Sequence, residues 1–201
     1  MFSIIRTIVG CIFFVCSITI IKKSNVVRKR LLCMIFAGIS ITAIALLNFF
    51  PIENLFLSFD TPKAAYEYYI LGESNIELVV EGDKCDFVVD RQPKRDSHLI
   101  IPKTTDGWKI GIGADTKRVA QKISDEKVLY VYQYKNTSDY FITILDTKVG
   151  QAVVSDDYNT EFFSLERTDS LGQIYFTYYA YIPNFNPQYS VTINGNQIVF
   201  E

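Results

Sequence analysis

Two long apolar segments begin the chain, and shorter alternating segments follow them. Residues 2–21 are apolar or small except for Arg6, and residues 31–50 form a run of twenty without a charge. A helix of twenty residues is about 30 Å long, which is the thickness of the hydrocarbon core of a bilayer. A helix of a soluble protein needs a polar stripe, and residues 31–47 offer none. The pattern therefore predicts a transmembrane helical hairpin over residues 1–50.

A basic loop separates the two apolar segments. Residues 22–30 contain five Lys and Arg, whereas the other side of the first segment carries only Arg6 and the N-terminal amine. Basic loops stay in the cytoplasm, so we expect a cell-membrane protein with two spans and both termini extracytoplasmic. A cleaved signal peptide is the alternative for the first segment. The span is favoured because the charges follow this segment instead of preceding it, and Lys22-Lys23 is not a small-residue cleavage site.

A β-rich domain is predicted after a juxtamembrane segment, residues 51–60. Thr61 followed by Pro62 is typical of the start of a helix, which Gly72 can end. After this helix, apolar and polar residues alternate in short runs separated by turn residues, which indicates strands. The predicted strands cover residues 76–80, 85–90, 99–101, 108–112, 128–135, 140–146, 151–155, 161–166, 173–182, 189–193 and 196–200. We expect residues 61–201 to form an all-β domain, an antiparallel sandwich or open barrel, with one short helix.

Charge divides the chain into two parts. All 22 acidic residues lie after position 52, and residues 1–50 hold six of the 20 Lys and Arg. Residues 51–201 are therefore left with 14 basic against 22 acidic side chains, a formal net charge of -8. A surface of that sign repels polyanions, which argues against a nucleic-acid-binding domain.

The use of cysteine agrees with a domain that is held by a hydrophobic core. Cys11, Cys16 and Cys33 lie within the apolar segments, so Cys85 is the only cysteine of residues 51–201. No disulfide can form within that domain, and a domain of about 150 residues is large enough to bury a core. We expect neither a disulfide nor a cofactor in it.

Candidate catalytic groups are few. His98 is the only histidine, and the polar run 91–98 predicts that it lies in a solvated loop. Cys85 is predicted at the start of a strand as an inert thiol. Ser124-Asp125-Glu126-Lys127 has the spacing of a serine nucleophile and its lysine, but that chemistry needs a helix and the sequence indicates a turn. We therefore expect no enzymatic activity.

Tyrosine is concentrated in two of the predicted strands. Tyr130, Tyr132 and Tyr134 alternate along one strand, and Tyr175, Tyr179 and Tyr181 lie along one face of another. Such rows can stack on sugar rings or peptides, and they can equally pack within a half-buried sheet. Both interpretations stay open, with packing favoured for most of these tyrosines and a ligand surface for a minority near the loops.

An acidic loop has a spacing that suits calcium. Asp157, Asn159 and Glu161 place oxygen side chains at alternate positions, and calcium prefers carboxylate and amide oxygens. The glycine turn of a calcium loop is missing, so an ordinary acidic loop between strands is favoured.

The start of the predicted β domain resembles a group of known proteins. The run Ser58-Phe59-Asp60-Thr61-Pro62-Lys63-Ala64-Ala65-Tyr66-Glu67-Tyr68-Tyr69, followed by residues 76–80 and 85–89, resembles small membrane-anchored proteins of Gram-positive bacteria. In that group a start of the form Phe-x-Thr/Ser-Pro-x-x-Ala-x-x-Tyr precedes a β-rich extracytoplasmic domain. The group has no established activity, so the resemblance implies the architecture only.

The sequence favours a membrane-anchored binding or assembly module. Its expected partners are the lipid bilayer and, outside it, a cell-wall glycan or a membrane protein. An accessory subunit of a membrane complex is the alternative, in which Ala37, Gly38, Ser40 and Ala43 pack against partner helices. A cell-envelope hydrolase fits less well, because the sequence brings no convergent polar groups together.

Overall fold

The chain folds into helices at its N-terminal end and strands after them. The structure, a computed structural model, describes residues 2–23, 28–49, 52–70, 74–91, 96–111, 116–124, 126–135, 137–146, 148–168 and 171–200. These residues form the helices α1 (Phe2–Lys23), α2 (Lys29–Phe49) and α3 (Pro62–Tyr69), with a 3-10 helix at Ile52–Leu55. The strands are β1 (Ile76–Glu81), β2 (Cys85–Arg91), β3 (Asp96–Thr104), β4 (Gly107–Trp108), β5 (Thr116–Ser124), β6 (Lys127–Tyr134), β7 (Tyr140–Asp146), β8 (Val154–Asp156), β9 (Phe163–Thr168), β10 (Ile174–Ile182), β11 (Ser190–Ile193) and β12 (Asn196–Val199).

The two N-terminal helices pack against each other. Gly10 of α1 lies so close to Ile44 of α2 that no larger residue would fit at this contact without displacing the Ile44 side chain. Within the described residues, Lys29–Leu46 is the one stretch that is long and apolar enough to cross a membrane. This supports one membrane helix where the sequence predicted a hairpin of two. In α1, Arg6 and Lys22 leave only fifteen residues between them, which is shorter than a full span.

The strands form three antiparallel sheets. The first sheet has the order β1-β2-β3-β4, the second has the order β5-β6-β7-β10-β9, and the third has the order β12-β11-β8. Each strand pair is antiparallel, which confirms the predicted all-β, antiparallel character of the chain after α3. Strand β5 lies at one edge of the second sheet.

The second sheet is the middle layer of the domain. Leu129 and Ile144 on one of its faces share a buried cluster with Val191 of the third sheet. Phe141 on its opposite face shares a second cluster with Phe87 of the first sheet. Because successive strand residues point to opposite faces, both faces of this sheet can be apolar and buried.

Helix α3 covers the outer face of the first sheet. Ala65 and Tyr66 of the helix are buried against Val88 of β2, whereas Phe87 points to the second sheet. Because both faces of the first sheet are covered, Asp90 is buried and its carboxylate needs hydrogen-bond donors. Its carboxylate accepts the Tyr66 hydroxyl at 3.1 Å and the Asn75 N–H at 2.6 Å.

Local signals in the sequence correctly located several elements. The Thr61 hydroxyl accepts the Ala64 N–H at 3.1 Å, as expected of an N-cap. The helix ends at Tyr69, before Gly72, which lies outside the described residues, as do residues 24–27 of the basic loop. The predicted hairpin turn Asn194-Gly195 has φ angles of 50° and 82° and joins β11 to β12.

Other predictions were wrong. His98, expected in a polar loop, lies within β3 opposite Val89, because β3 begins as early as Asp96. Of the predicted strand 108–112, only Trp108 belongs to a strand, in the short pairing of β4 with β3, and residue 112 lies outside the described residues. Strand β5 was not predicted. Its neighbouring residues Lys117 and Arg118 are both exposed, so the alternation of apolar and polar residues that indicates a strand is interrupted there.

Candidate ligand-binding site

The six tyrosines of the predicted ligand surface lie in one sheet. Tyr130, Tyr132 and Tyr134 belong to β6, and Tyr175, Tyr179 and Tyr181 belong to β10. Strand β7 lies between these two strands and aligns their side chains. The cross-strand rows are Tyr132-Phe141-Tyr181 and Tyr130-Thr143-Tyr179. The two predicted rows are therefore one surface, on the face of the second sheet that turns toward the first.

Much of this tyrosine surface is covered by the first sheet. Tyr179 is 2% exposed and Tyr134 is 9% exposed, while the other four are half-buried. The Phe87 ring lies with its centroid 6.0 Å from that of Tyr132 and 6.2 Å from that of Tyr179. The Tyr179 hydroxyl donates to Asp96 at 3.2 Å. Tyr134 and Tyr179 thus serve packing between the sheets.

One end of the tyrosine surface reaches a cavity. The cavity measures about 550 Å³ and opens where β1 approaches β10, and we call it the β1–β10 cavity. It is lined by Val79, Val80, Glu81, Tyr158, Thr160, Glu161, Phe163, Tyr181 and Pro183. Among the residues that the structure describes, this lining contains three aromatic rings and two carboxylates and includes no basic side chain. Sites for small molecules have volumes of roughly 300 to 1,000 Å³, so the cavity is large enough for one.

The ring of Tyr158 forms the exposed side of the cavity. Its exposed fraction is 46%, and its ring stacks on that of Tyr189 with centroids 5.6 Å apart. The Asn186 side chain donates to the Tyr158 hydroxyl at 3.1 Å. These two contacts fix the orientation of the ring before any ligand enters.

The ring of Tyr181 forms the inner side. It packs on Phe141 with centroids 5.5 Å apart, and its hydroxyl donates to Asp139 at 3.5 Å. Burial raises the pKa of Tyr181 above its ordinary value of 10, and the charge of Asp139 raises it further. The hydroxyl therefore remains protonated at neutral pH and adds no charge to the cavity.

A turn organised by Asp156 shapes the cavity wall. The Asp156 carboxylate accepts the N–H groups of Tyr158 at 3.1 Å and Thr160 at 2.8 Å, and the Tyr189 hydroxyl at 2.8 Å. Asn159 within this turn has a φ of 56°. An aspartate that binds its own following backbone in this way is an Asx turn, a common local structure.

The predicted calcium loop coincides with this turn. The Asp157 carboxylate accepts the Ser190 hydroxyl at 3.0 Å, and Glu161 lines the β1–β10 cavity. Within the described part of the chain, no three His, Cys, Asp or Glu side chains are grouped to hold a metal ion. Calcium binding by Asp157, Asn159 and Glu161 stays the less favoured of the two interpretations of this loop.

His98 lies in the packing between the first and second sheets. Its ring stacks on Phe87 with centroids 5.0 Å apart and lies 4.7 Å from the Tyr132 ring. A second cavity of about 420 Å³ adjoins it, lined also by Leu99, Thr116 and Arg118. His98 is therefore packed among aromatic rings, and the prediction that it lies in a solvated loop was wrong.

Cys85 is a buried thiol bonded to a carboxylate. Its Sγ donates to Asp139 at 3.3 Å, and the same oxygen accepts the N–H groups of Lys84 at 2.6 Å and Cys85 at 3.1 Å. Burial raises the pKa of the Cys85 thiol, and the charge of Asp139 raises it further. Since the thiolate is the nucleophile, this thiol is inert.

The remaining candidate motif lies in a turn. Ser124 and Lys127 face each other at the end of the β5–β6 hairpin, so the lysine is not one helical turn from the serine.

Sequence reasoning missed Asp139 and Asp156. The spacing of Asp156 and Thr160 in an acidic, turn-rich stretch is a local signal that would have indicated an Asx turn. Asp139 carries no such signal, because its donors come from Lys84 and Cys85, which are more than fifty positions away.

Comparisons of the chain with protein families, with curated proteins and with solved structures give no match. The features of the molecule that indicate a function are therefore the β1–β10 cavity and the N-terminal helices.

Proposed function

We propose that the protein is a membrane protein in which α2 spans the bilayer and α1 crosses it beside α2 as a second, shorter span. Its β domain then lies outside the cell membrane as a binding module. Both N-terminal helices support the anchor, because each exposes large apolar side chains. These include Ile8, Val9, Ile12 and Phe13 of α1 and Met34, Ile35, Ile39 and Ile41 of α2. Apolar surface of this extent is unfavourable in water and suits lipid. The basic loop 22–30 supports the orientation with both termini outside.

The β1–β10 cavity is the observation that carries the binding function. Glu81 and Glu161 bring two carboxylates to a site whose other walls include the rings of Tyr158, Phe163 and Tyr181. An aromatic face is electrostatically negative and attracts cations, most strongly when water is excluded. Carboxylates add full negative charge to the same volume. The ligand class that fits best is an organic cation, with an ammonium group that lies against the rings.

Competing ligand classes fit this site less well. An anion would meet two carboxylates, and the described part of the lining offers it no basic side chain. A neutral sugar can stack on the rings, yet it gains no attraction from the charge of the two exposed carboxylates. The domain as a whole carries excess acidic charge, which adds attraction for cations at low salt.

Binding is tested with the full chain in detergent or in nanodiscs. Choline is titrated by calorimetry against 3,3-dimethylbutanol, which has the same shape without the charge, and against a chitin oligosaccharide. We expect choline to bind measurably, the neutral alcohol to bind at least about tenfold more weakly, and affinity to fall as salt rises. Equal binding of choline and the alcohol, or binding of the oligosaccharide alone, would overturn the cationic class.

Matched variants assign the binding to the cavity. Tyr158→Ala and Glu161→Gln remove one ring and one carboxylate from the lining, and each should weaken choline binding by about 3- to 30-fold. Glu166→Gln is the control, because it removes an equal charge from β9 outside the cavity lining. If the control weakens binding as much as Glu161→Gln, the effect comes from net charge and not from the site.

The accessory-subunit function is the alternative proposal. Gly38 of α2 has no heavy atom within 4 Å of an added Cβ, so a partner helix could approach there, whereas Ser40 is buried. Replacement of Gly38 by Leu should then disrupt a complex seen by native electrophoresis of gently solubilised membranes. An unchanged complex after this substitution would argue against the contact.

A further inference from the structure

We infer that Leu55, Phe56 and Leu57 form a surface that docks on the lipid bilayer and seats one edge of the first sheet at the membrane interface. The inference rests on the proposed membrane anchor. It adds a defined face of the β domain that lies on the lipid.

The segment that carries these residues is attached to the β domain. The Asn54 side chain donates through Nδ2 to the Ile110 carbonyl at 3.1 Å and accepts the Ile110 N–H through Oδ1 at 2.8 Å. The Lys109 Nζ donates to the Leu57 carbonyl at 2.8 Å. The paired amide bonds imitate the pairing of two strands, and they fix the position of this segment relative to the first sheet.

A backbone bridge holds the end of the same segment. Phe59 and Trp108 exchange two N–H to carbonyl hydrogen bonds, each of 2.9 Å. Gly107 makes this approach possible, since its φ is 116° and an added Cβ would lie 2.5 Å from the Phe59 carbonyl oxygen. The segment is thus joined to the sheet on both sides of Leu55, Phe56 and Leu57.

The three apolar side chains themselves point away from the domain. Their exposed fractions are 77% for Leu55, 84% for Phe56 and 40% for Leu57. A segment that is fixed by hydrogen bonds while its adjacent large apolar residues remain exposed presents a built apolar surface. Leucine and phenylalanine on such a surface are the residues that enter the boundary between headgroups and acyl chains.

Continuity with α2 identifies the bilayer as the occupant. Helix α2 has 21 residues, which corresponds to about 31 Å, so a spanning α2 ends at the membrane interface. The 3-10 helix begins at Ile52, three residues after Phe49, and three residues reach at most about 11 Å. Leu55 and Phe56 therefore lie within reach of the lipid headgroups. At that position lipid covers their apolar side chains.

The position of residue 56 is measured by tryptophan fluorescence. Trp108 is the only tryptophan of the chain, so Phe56→Trp combined with Trp108→Phe places a single reporter at the surface. The full chain is reconstituted into vesicles of phosphatidylcholine and phosphatidylglycerol, with and without bromine on the acyl chains near the headgroups. We expect emission shifted to the blue and largely quenched by the brominated lipid.

Control variants separate docking from anchoring. Val153→Trp in the Trp108→Phe background places an equally exposed reporter beside the third sheet, and its emission should remain unquenched. If Trp108→Phe impairs folding, Phe56→Trp is used with Trp108 retained, and the added emission relative to the parent chain is analysed. A chain that does not float with the vesicles contradicts the membrane anchor. A chain that floats with them while the reporter at position 56 stays unquenched overturns the docking surface alone.

Discussion

The Sγ of Cys85 lies 3.3 Å from Oδ2 of Asp139, in a contact between residues 54 positions apart. The same oxygen also accepts two backbone N–H groups at the β1–β2 turn, and the other oxygen accepts the Tyr181 hydroxyl. Asp139 is fully buried and belongs to the β6–β7 connection. One carboxylate therefore joins the first sheet to the second and also supports a ring of the β1–β10 cavity.

Replacement of Asp139 should destabilise the domain strongly. In Asp139→Asn the backbone donors of Lys84 and Cys85 lose a charged acceptor, so we expect the free energy of unfolding to fall by about 2 to 4 kcal/mol. Urea unfolding followed by circular dichroism measures the loss. Glu126→Gln is the control, because the ion pair of Glu126 with Lys148 is exposed and its loss should cost about 0.5 kcal/mol or less. Equal effects of the two substitutions would contradict the role of Asp139.

The thiol of Cys85 should react only after unfolding. The thiol is fully buried and bonded to Asp139, and its raised pKa disfavours the reactive thiolate in the folded state. In a chain in which Cys11, Cys16 and Cys33 are replaced by Ala, maleimide should label Cys85 at the rate of unfolding. Rapid labelling in native buffer at about pH 8 would show an accessible thiol instead.

Asp86 should make stability depend on pH in the direction opposite to that of most carboxylates. Burial raises the pKa of Asp86 above 3.8. The hydrogen bonds from the Trp108 indole and the Gly82 N–H lower it, but the effect of burial is larger. The folded state thus holds the proton more tightly, and stability is lost as pH rises from 3.8 through the raised value. In Asp86→Asn this loss is absent, so the variant should gain stability relative to the parent chain as pH rises above 3.8. Urea titrations of both chains at each pH measure the difference, and a constant difference would contradict the raised pKa.

Two tyrosines should respond differently to truncation. Tyr179→Ala removes a buried ring from the contact between sheets and should lower the free energy of unfolding by about 3 to 5 kcal/mol. Tyr158→Ala removes a half-exposed ring stacked on Tyr189 and should cost less than about 1.5 kcal/mol. Melting curves distinguish the two positions, and similar losses would mean that Tyr158 belongs to the core.

Membrane topology is tested by two introduced cysteines in a cysteine-free background. On intact cells an impermeant thiol reagent should label Leu171→Cys, at a site 82% exposed in the β domain, and should label Asn25→Cys only after permeabilisation. The reason is the excess of basic residues around Asn25, which retains that loop in the cytoplasm. The reverse pattern would invert the proposed orientation.

Elements with a strong local period could be predicted from the sequence, and contacts between distant elements could not. Alternation located β6, β7 and β10, and Asn194-Gly195 located the last hairpin, because both signals depend on neighbouring residues. The placement of β10 between β7 and β9 depends on contacts across the chain, and no local pattern encodes it. For the same reason the tyrosines were recognised as rows, while their shared face emerged only from the register with Phe141.

Even less of the candidate site than of the fold could be predicted from the sequence. Its lining comes from β1, the Asp156 turn and the end of β10, so Glu81 meets Tyr158 and Tyr181 only in the folded domain. The acidic loop was noticed for calcium, a role that remains a prediction. Its structural contribution is a wall of the β1–β10 cavity. This wall is organised by Asp156, which does not belong to the predicted calcium set at positions 157, 159 and 161.

If the protein is anchored as proposed, the β5 edge of the second sheet matters for the crowding of many copies in one membrane. Strand β5 presents Lys117, Arg118 and Lys122 along that edge. Proteins anchored in the same bilayer share one orientation, so identical edges face each other at equal height far more often than in dilute solution. Lysine on an edge strand hinders pairing with a strand of another molecule. We therefore expect the positive charges of β5 to hinder sheet-to-sheet aggregation between neighbouring copies.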